Sequence, residues 1–172
     1  MFLFLKVKNK ILTMIQIQSF EFNPFQVNTY ILFDENSECI IVDPSNSNKK
    51  EDELLFSYIS DNGLNVRYIL NTHGHVDHLL GLQVVKDKYQ VPFLMHPEDN
   101  FLIEGSVEFG AVFGLNVRKP PKPDQNLSDG QEIDLGGDHI ESVHVPGHSP
   151  GSVVFYIKEA NIAISGDVLF HG

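Results

Sequence analysis

The sequence of 172 residues predicts a single layered α/β (α+β) domain. Short apolar runs rich in β-branched and aromatic residues alternate with stretches of helical period in the first half. A succession of short strands separated by turns dominates the last third of the chain. The composition, with 42% hydrophobic and 20% charged residues, is that of a chain that folds around one hydrophobic core.

Residues 1–13 are interpreted as an N-terminal extension, and residues 14–172 as the domain. The extension is apolar at the front and lysine-rich behind, the reverse of a secretory signal, so we expect a cytoplasmic protein. Met14 precedes an alternating apolar stretch and is an alternative start of the protein. An edge strand beginning near Leu3 is the other interpretation.

The first half is expected to hold three strands and a helix after an initial alternating stretch from Ile15 to Phe22. Polar turns separate successive elements, and the turn at residues 34–37 predicts a hairpin between the first two of these strands. Gly63 is placed to end the helix. The strands are expected at residues 27–33, 39–42 and 65–70, and the helix at residues 51–62.

The middle of the chain differs in texture from both halves. Between His96 and Asn126 apolar residues mix with glycine and proline, so this segment is interpreted as a bridge. Its residues 119–123 predict a stiff, extended connector. An antiparallel meander is expected after it, with strands at residues 132–135, 140–145, 152–157 and 161–164.

The charge balance excludes several partners. Twelve lysine and arginine residues against 23 aspartate and glutamate residues give a formal net charge of −11. A field of that sign repels phosphate backbones and anionic lipid, so neither nucleic acid nor a membrane surface is expected as a partner. No run of about 18 apolar residues is present to span a bilayer. Eight histidines are a conspicuous surplus beside only twelve basic residues.

Three of these histidines lie in one segment, His73-x-His75-x-Asp77-His78, between a predicted strand and a predicted helix. Residues two apart in an extended segment point to the same side, so His73 and His75 can share one ion. Asp77 and His78 would then face a second ion from the first turn of the helix. Imidazole suits zinc and iron, and a carboxylate among the ligands is compatible with zinc, iron or manganese.

Three further strand ends carry one polar group each. His148 lies on a loop whose glycines and prolines, at residues 146–151, fix unusual backbone angles. Asp167 follows an apolar strand, and its two carboxylate oxygens can bridge two cations. Asp43 has the same position after the apolar residues 40–42. Metal sites on layered scaffolds are assembled from strand ends of this kind.

Taken together, these motifs resemble those of the metallo-β-lactamase superfamily, and within it the glyoxalase II-like hydrolases. The similarity runs from Met14 to the last residue. It implies a four-layer αββα sandwich. The segments that carry it are His73-x-His75-x-Asp77-His78, residues 146–151, residues 166–170, residues 28–30 and residues 42–44.

The resemblance also implies a ligand set for two zinc ions, with iron or manganese as alternatives. The ligands implied for the first ion are His73, His75 and His148. Those implied for the second ion are Asp77 and His78, and Asp167 would bridge the two. Asp43 would orient a ligand by a hydrogen bond. Asp77, together with metal-bound water, would be the catalytic carboxylate.

One departure from the family pattern affects the second ion. Family members continue past residues 166–170 with further strands, a covering helix and a late histidine that completes the second metal shell, whereas this chain stops at Gly172. The second half of the sandwich is therefore expected to be incomplete, in a partial sequence or a naturally shortened protein. His171 is a poor substitute for that histidine, because it lies only four residues after Asp167.

The expected chemistry follows from the metals, because the sequence offers no convincing nucleophile with a base beside it. A hydroxide held by two ions is a nucleophile at neutral pH. The glyoxalase II resemblance implies hydrolysis of a small 2-hydroxyacyl thioester such as S-lactoylglutathione. The alternatives are a mononuclear iron dioxygenase acting on a persulfide, and an inactive fragment that binds one metal.

Other conspicuous residues have simpler interpretations. Phe109 and Phe113 either line the substrate cleft or pack as core or lid without touching substrate. His144, four residues before His148, is interpreted as a core residue or one that orients a ligand. His96 and His139 are interpreted as surface or helix-capping residues.

Overall fold

A computed structural model describes residues 15–169 of the protein. The extension predicted for residues 1–13, the alternative start at Met14 and the position of His171 lie outside the described residues. Within this range no helix is long and apolar enough to cross a bilayer.

The elements of residues 15–169 follow the predicted alternation of strands and helices. The strands are β1 (Gln16–Phe22), β2 (Val27–Phe33), β3 (Glu38–Val42), β4 (Asn65–Leu70), β5 (Phe93–Met95), β6 (Gln125–Asn126), β7 (Gln131–Leu135), β8 (Asp138–His144), β9 (Val153–Ile157) and β10 (Ile162–Ile164). The helices are α1 (Lys49–Asp61), α2 (Leu82–Tyr89) and α3 (Asn100–Val112). Short 3₁₀ turns lie at Val76–His78, Pro97–Asp99 and Gly166–Val168.

Two sheets form the centre of the fold. The first has the order β1-β2-β3-β4-β5-β6, antiparallel from β1 to β3 and parallel from β3 to β6. The second is the predicted meander, with order β10-β9-β8-β7 and antiparallel pairing throughout. Because parallel strands share a direction, the carboxyl ends of β3, β4 and β5 lie along one edge of the first sheet.

The first sheet is buried on both faces. One face packs against the second sheet through residues such as Leu32, Ile40 and Phe155, all inaccessible to solvent. The opposite face packs against helices through residues such as Leu55 and Leu82. Strands covered on both faces contain continuous apolar runs rather than alternating ones, as 40–42 shows. The described layers are therefore helices, first sheet and second sheet, and no helix of residues 15–169 covers the outer face of the second sheet.

Helix α1 begins two residues earlier than the sequence predicts. The side chain of Asn48 caps it, accepting hydrogen bonds from the backbone N–H groups of Lys50 and Glu51 at 3.0 and 3.2 Å. The helix ends at Asp61, and Gly63 follows it with a φ of 62°, which glycine adopts without steric cost. The predicted stop at Gly63 is thus confirmed.

The helix after the histidine cluster begins later than expected. Asp77 and His78 belong to the separate 3₁₀ turn Val76–His78, and α2 starts only at Leu82. The backbone N–H of Gly81 donates to the carbonyl of Pro44 at 2.9 Å, which ties this connection to the end of β3. Leu79 is buried like Leu82 and Val85 of α2, so the three residues have the spacing of one helix although Leu79 precedes it.

The interpretation of residues 96–126 as an irregular bridge is wrong for most of its length. The 13-residue helix α3 occupies its first half, and β5 and β6 flank it as parallel neighbours. Parallel strands need a crossover connection, and α3 provides it. Gly110 signalled a break in the sequence, but in the helix it allows close packing, since a Cβ there would collide with Val117. Residues 119–123, predicted to be a stiff, extended connector, form no regular helix or strand.

We expect Phe155→Ala to lower the free energy of unfolding by about 3 to 5 kcal/mol, because Phe155 fills the core between the sheets with no exposure to solvent. Phe101→Ala is the control, since the Phe101 side chain is 56% exposed and its loss should cost less than about 1 kcal/mol. Urea denaturation measures both. Equal losses in the two variants would contradict the two-sheet core.

Candidate metal centre

The site lies where the ends of strands from both sheets meet. Asp43 follows β3, and His73 follows β4. His148 lies on the loop between β8 and β9, and Asp167 follows β10. The two sheets are joined at this edge by a backbone hydrogen bond of 2.8 Å from the N–H of Val153, at the start of β9, to the carbonyl of Thr72. The strand ends named in the sequence are therefore neighbours in space.

A first group of ligand atoms comes from His73, His75 and His148. One nitrogen of each imidazole lies within 4.8 Å of the others. The closest pair is Nδ1 of His75 and Nε2 of His148, 2.8 Å apart. His73 is buried, His75 is half-buried and His148 is exposed, so the group opens toward solvent on one side.

A second group comes from His73, His78 and Asp167, again with ligand atoms within 4.8 Å of one another. Oδ1 of Asp167 lies 3.3 Å from Nε2 of His78, and Oδ2 lies 3.3 Å from Nε2 of His148. The carboxylate of Asp167 therefore has one oxygen toward each group. This is the position that a bridging carboxylate requires.

Asp77 lies beside these groups and not within them. Its Oδ2 is 3.9 Å from Nε2 of His78, and its side chain keeps 23% of its surface exposed. The sequence paired Asp77 with His78 because both were placed in the first turn of one helix. The 3₁₀ turn instead directs the buried His78 side chain inward and leaves Asp77 at the mouth of the site.

Two buried nitrogens indicate that the cluster suits a metal ion. Nε2 of His73 is buried and forms no hydrogen bond within the described residues, and Nε2 of His78 is buried with the carboxylate of Asp167, 3.3 Å away, as its neighbour. A buried polar atom without a partner costs about 1–3 kcal/mol, and a cation held by its lone pair removes that cost. Imidazole nitrogens with one or two carboxylate oxygens form a donor set suited to zinc or iron. The residues therefore fit the metal that the sequence predicts.

The carboxylate of Asp43 contacts the ligand residue His78 directly and the ligand residue His73 through Thr72. It is 1% exposed and accepts hydrogen bonds of 2.7 Å from both the backbone N–H and the hydroxyl of Thr72. Oδ2 also lies 3.1 Å from Nδ1 of His78, which leaves Nε2 of that ring to face the cluster. The Thr72 hydroxyl is 3.0 Å from Nδ1 of His73. These contacts suit the orienting role predicted for Asp43.

The electrostatics of the cluster favour a cation. Burial lowers the pKa of His78, but hydrogen bonds to Asp167 and Asp43 outweigh it and raise that pKa to about 10. The hydrogen bond to His78 lowers the pKa of Asp167 to about 2. Burial and the neighbouring His78 lower the pKa of His73 to about 2, and burial and His148 lower the pKa of His75. One proton is thus held where a metal ion would replace it, and the lowered pKa values of His73 and His75 favour the neutral imidazoles that metal binding requires.

Two openings reach the cluster. A cavity of about 250 Å³ is lined by Phe25, His75, Val76, Asp77, Phe109, Phe113, His148 and Asp167. A larger one of about 670 Å³ adjoins the second group, and its lining includes Tyr30, Asp43, Asp77, His78, Asp167 and Leu169. Asp77 and Asp167 line both cavities. Phe109 and Phe113 are about half exposed, so they form an open wall and not part of the core.

A third group of ligand-type side chains, which includes two histidines, lacks the converging geometry of the first two groups. One ligand atom each of His96, Glu98 and His144 lies within 4.8 Å of the others. The two imidazoles are stacked, with centroids 3.9 Å apart and planes 16° apart, so their in-plane lone pairs run side by side instead of converging. Nε2 of His144 instead lies 2.9 Å from the carbonyl of Pro150, on the loop that carries His148. Nδ1 of His96 accepts from the backbone N–H of Glu98, the capping role that the sequence predicted.

One buried acid at the site was missed by the sequence reasoning. Asp99 has no exposed surface, and its carboxylate contacts the segments that carry His75 and His148. The interpretation of His96 as a helix-capping residue implies only that residues 97–99 begin a helix. The sequence holds no local signal for a different role, because the partners of Asp99 are 25 to 52 residues away.

Comparison with known proteins assigns the class to which this fold and site belong. Residues 22–172 match the family model of the metallo-beta-lactamase superfamily, and the chain belongs to that superfamily. This membership supports a metal-dependent hydrolase in general terms, and confirms the fold implied by the sequence motifs.

Three relatives illustrate the match. The probable metallo-hydrolase YqgX of Bacillus subtilis (strain 168) is 40% identical over 152 residues, which cover 87% of this chain and 69% of YqgX. The hydroxyacylglutathione hydrolase GloC of Haemophilus influenzae is 34% identical over 150 residues, covering 86% of this chain and 69% of GloC. The crystal structure of TTHA1623 in a di-iron-bound form superposes with a TM-score of 0.78 at 33% identity, covering 90% of this chain and 74% of that one.

We expect the metal-free protein to lose stability as pH rises from about 6.5 to about 10. The pKa of His78 is raised in the folded state, so its protonated form stabilises the fold fully below the unfolded value of 6.5 and progressively less above it. The slope contributed by this one group is at most about 1.4 kcal/mol per pH unit. Urea denaturation in the presence of a chelator measures the effect.

His78→Gln should remove most of this loss of stability between about pH 6.5 and 10. His139→Gln, at an exposed histidine of β8, should leave the pH dependence of stability unchanged. A decline that persists in His78→Gln would show that another group causes it.

Proposed function

We propose that the protein hydrolyses a small-molecule thioester of the 2-hydroxyacyl class, such as S-lactoylglutathione, with two zinc ions as cofactor. The observation that carries the proposal is the carboxylate of Asp167, whose two oxygens each lie 3.3 Å from a histidine of a different group. A carboxylate in that position suits a dinuclear centre. Similarity to the hydroxyacylglutathione hydrolase GloC supports the choice of a thioester.

The ligand residues divide between two metal positions. His73, His75 and His148 would hold one ion, and His78 and Asp167 the other, with Asp167 shared and Asp77 beside the second position. When bound, two such ions supply a water-derived nucleophile at neutral pH and a Lewis acid for the carbonyl of the substrate. Because the chain itself must keep the imidazoles neutral, the lowered pKa values of His73 and His75 support their role as ligands at neutral pH.

Asp77 is the group that the chain offers to the reacting water. Its carboxylate is partly exposed, lines both cavities and lies 3.9 Å from Nε2 of His78. In that position it can accept a hydrogen bond from a water molecule at the centre and hold its proton. The backbone carbonyl of Asp77 accepts a hydrogen bond of 3.0 Å from the side chain of Asn23, which fixes this turn.

Phe25, Phe109 and Phe113 form an aromatic wall on the smaller cavity, and this wall favours the apolar part of a substrate there. Phe113 is in edge contact with both Phe25 and Phe109, with centroid separations of 6.4 and 5.1 Å. These rings adjoin His75 and His148 in one cavity. An acyl or thiol substituent with apolar surface would displace water from the rings on binding, which brings the scissile bond close to the metal ligands.

Metal analysis combined with a thioester assay tests the proposal. We expect the protein to take up about two equivalents of zinc and then to release thiol from S-lactoylglutathione, detected with a chromogenic thiol reagent. One equivalent of iron with oxygen consumption on a persulfide would overturn it in favour of the dioxygenase alternative. Metal uptake with no turnover of any thioester would overturn the substrate assignment.

His75→Ala should lower kcat/KM for the thioester more than about 100-fold, because it removes a proposed ligand of the first ion. His139→Ala is the matched control and should retain full activity, since His139 is exposed on β8 and outside both ligand groups. Steady-state kinetics of zinc-loaded protein measures both variants. Activity that survives His75→Ala would show that the metal centre is wrongly assigned.

Phe113→Ala should raise KM for a thioester with an apolar acyl group about tenfold. The variant removes aromatic surface that the substrate would cover on binding, which costs about 1.4 kcal/mol of binding free energy. Phe101→Ala changes an equally exposed phenylalanine of α3 that lines neither cavity. Its KM should match that of the unmodified protein. Equal effects of the two variants would exclude the aromatic wall from substrate binding.

A further inference from the structure

The carboxylate of Asp99 joins the two chain segments that supply the first group of histidines. Oδ2 accepts a hydrogen bond of 2.8 Å from the backbone N–H of Gly74 and one of 2.6 Å from the hydroxyl of Ser149. Oδ1 accepts a hydrogen bond of 2.7 Å from the backbone N–H of Gly151. Gly74 lies between His73 and His75, and Ser149 directly follows His148. One carboxylate thus contacts both ligand segments.

The contacts are tight as well as buried. A Cβ atom at Gly151 would lie 2.8 Å from Cγ of Asp99, and one at Gly74 would lie 3.0 Å from Cβ of Asp99. Real Cβ atoms rarely make contacts as short as these, so glycine is needed at both positions for the carboxylate to come this close. The absence of a side chain at Gly74 and Gly151 therefore leaves the space that Asp99 occupies.

Asp99 is not a ligand itself. It belongs to neither group of converging ligand atoms, and the three contacts of its carboxylate are hydrogen bonds that it accepts. His75 and His148 are 73 residues apart in the sequence, and each is on a loop. Without a shared partner, the two loops would lose conformational entropy when a metal ion brought them together.

We propose that Asp99 is a positioning residue for the first metal position, one that fixes the segment of His73 and His75 relative to the loop of His148 before any ion binds. The interaction lowers the entropy lost on metal binding and so raises the affinity for the ion. This inference rests on the metal centre of the proposed function and not on its thioester substrate.

Asp99→Asn tests the inference with little change in volume. Asparagine has one acceptor oxygen, and its NH₂ group would face an N–H or O–H donor, so at least one of the three hydrogen bonds is lost. We expect the affinity for the first equivalent of Co²⁺ or Zn²⁺ to fall about 10- to 100-fold, as for other groups that orient metal ligands. The Co²⁺ absorption bands, titrated against a chelator of known affinity, measure this.

Asp34→Asn is the matched control. Asp34 is also buried, at 2% exposure, and its carboxylate accepts hydrogen bonds from the backbone N–H groups of Asn36 and Glu38 in the turn between β2 and β3. A merely structural contribution of a buried aspartate would be lost in both variants. We expect Asp34→Asn to lower stability while its Co²⁺ affinity and spectrum stay those of the unmodified protein.

Hydrogen exchange of the metal-free protein provides a second readout, which does not depend on an ion. The backbone N–H groups of Gly74 and Gly151 should be protected in the unmodified protein and exchange faster in Asp99→Asn. If Asp99→Asn fails to fold, Ser149→Ala removes one of the three donors, and we expect a loss of Co²⁺ affinity of about two- to fivefold.

Unchanged metal affinity in Asp99→Asn, or an equal loss in Asp34→Asn, would overturn the inference. The result is separable from the proposed function. A protein that binds metal through Asp99-dependent loops but turns over no thioester would refute the substrate while leaving the role of Asp99 intact.

Discussion

The fold must hold several imidazoles and a carboxylate within a few Å of one another, although His73 and His78 are buried and have little access to water. Buried polar atoms are costly unless each has a partner. In this fold, different partners serve the two nitrogens of each buried imidazole. Asp43 and Thr72 bond the outer nitrogens of His78 and His73, and the inner nitrogens are left to face the cluster. The two-sheet architecture serves this arrangement, because it brings strand ends from both sheets to one edge.

Much of the fold and of the candidate site could be predicted because the relevant signals are local. The hairpin of β2 and β3, strand β4 and the meander from β7 to β10 each correspond to an apolar run bounded by turn residues. The groups at His73, His75, His148 and Asp167 could be expected to converge because ligand-type side chains follow strands whose ends share an edge. Both inferences depend only on short stretches of sequence.

The features that the sequence did not reveal depend on contacts between distant segments. Helix α3 was hidden because Gly110 looks like a break, whereas its purpose depends on Val117 packing against the helix. The sequence does not reveal that Asp77 belongs to a separate short 3₁₀ turn, which leaves its side chain partly exposed at the mouth of the site. Asp99 carried no local signal, since its partners belong to two other loops.

We propose a centre of two metal positions that share the carboxylate of Asp167. X-ray diffraction from zinc-loaded crystals, with data collected on both sides of the zinc absorption edge, tests this arrangement. We expect two anomalous peaks about 3.5–4 Å apart, one beside His73, His75 and His148 and the other beside His78, with Asp167 between them. A single peak, or peaks remote from these histidines, would contradict it.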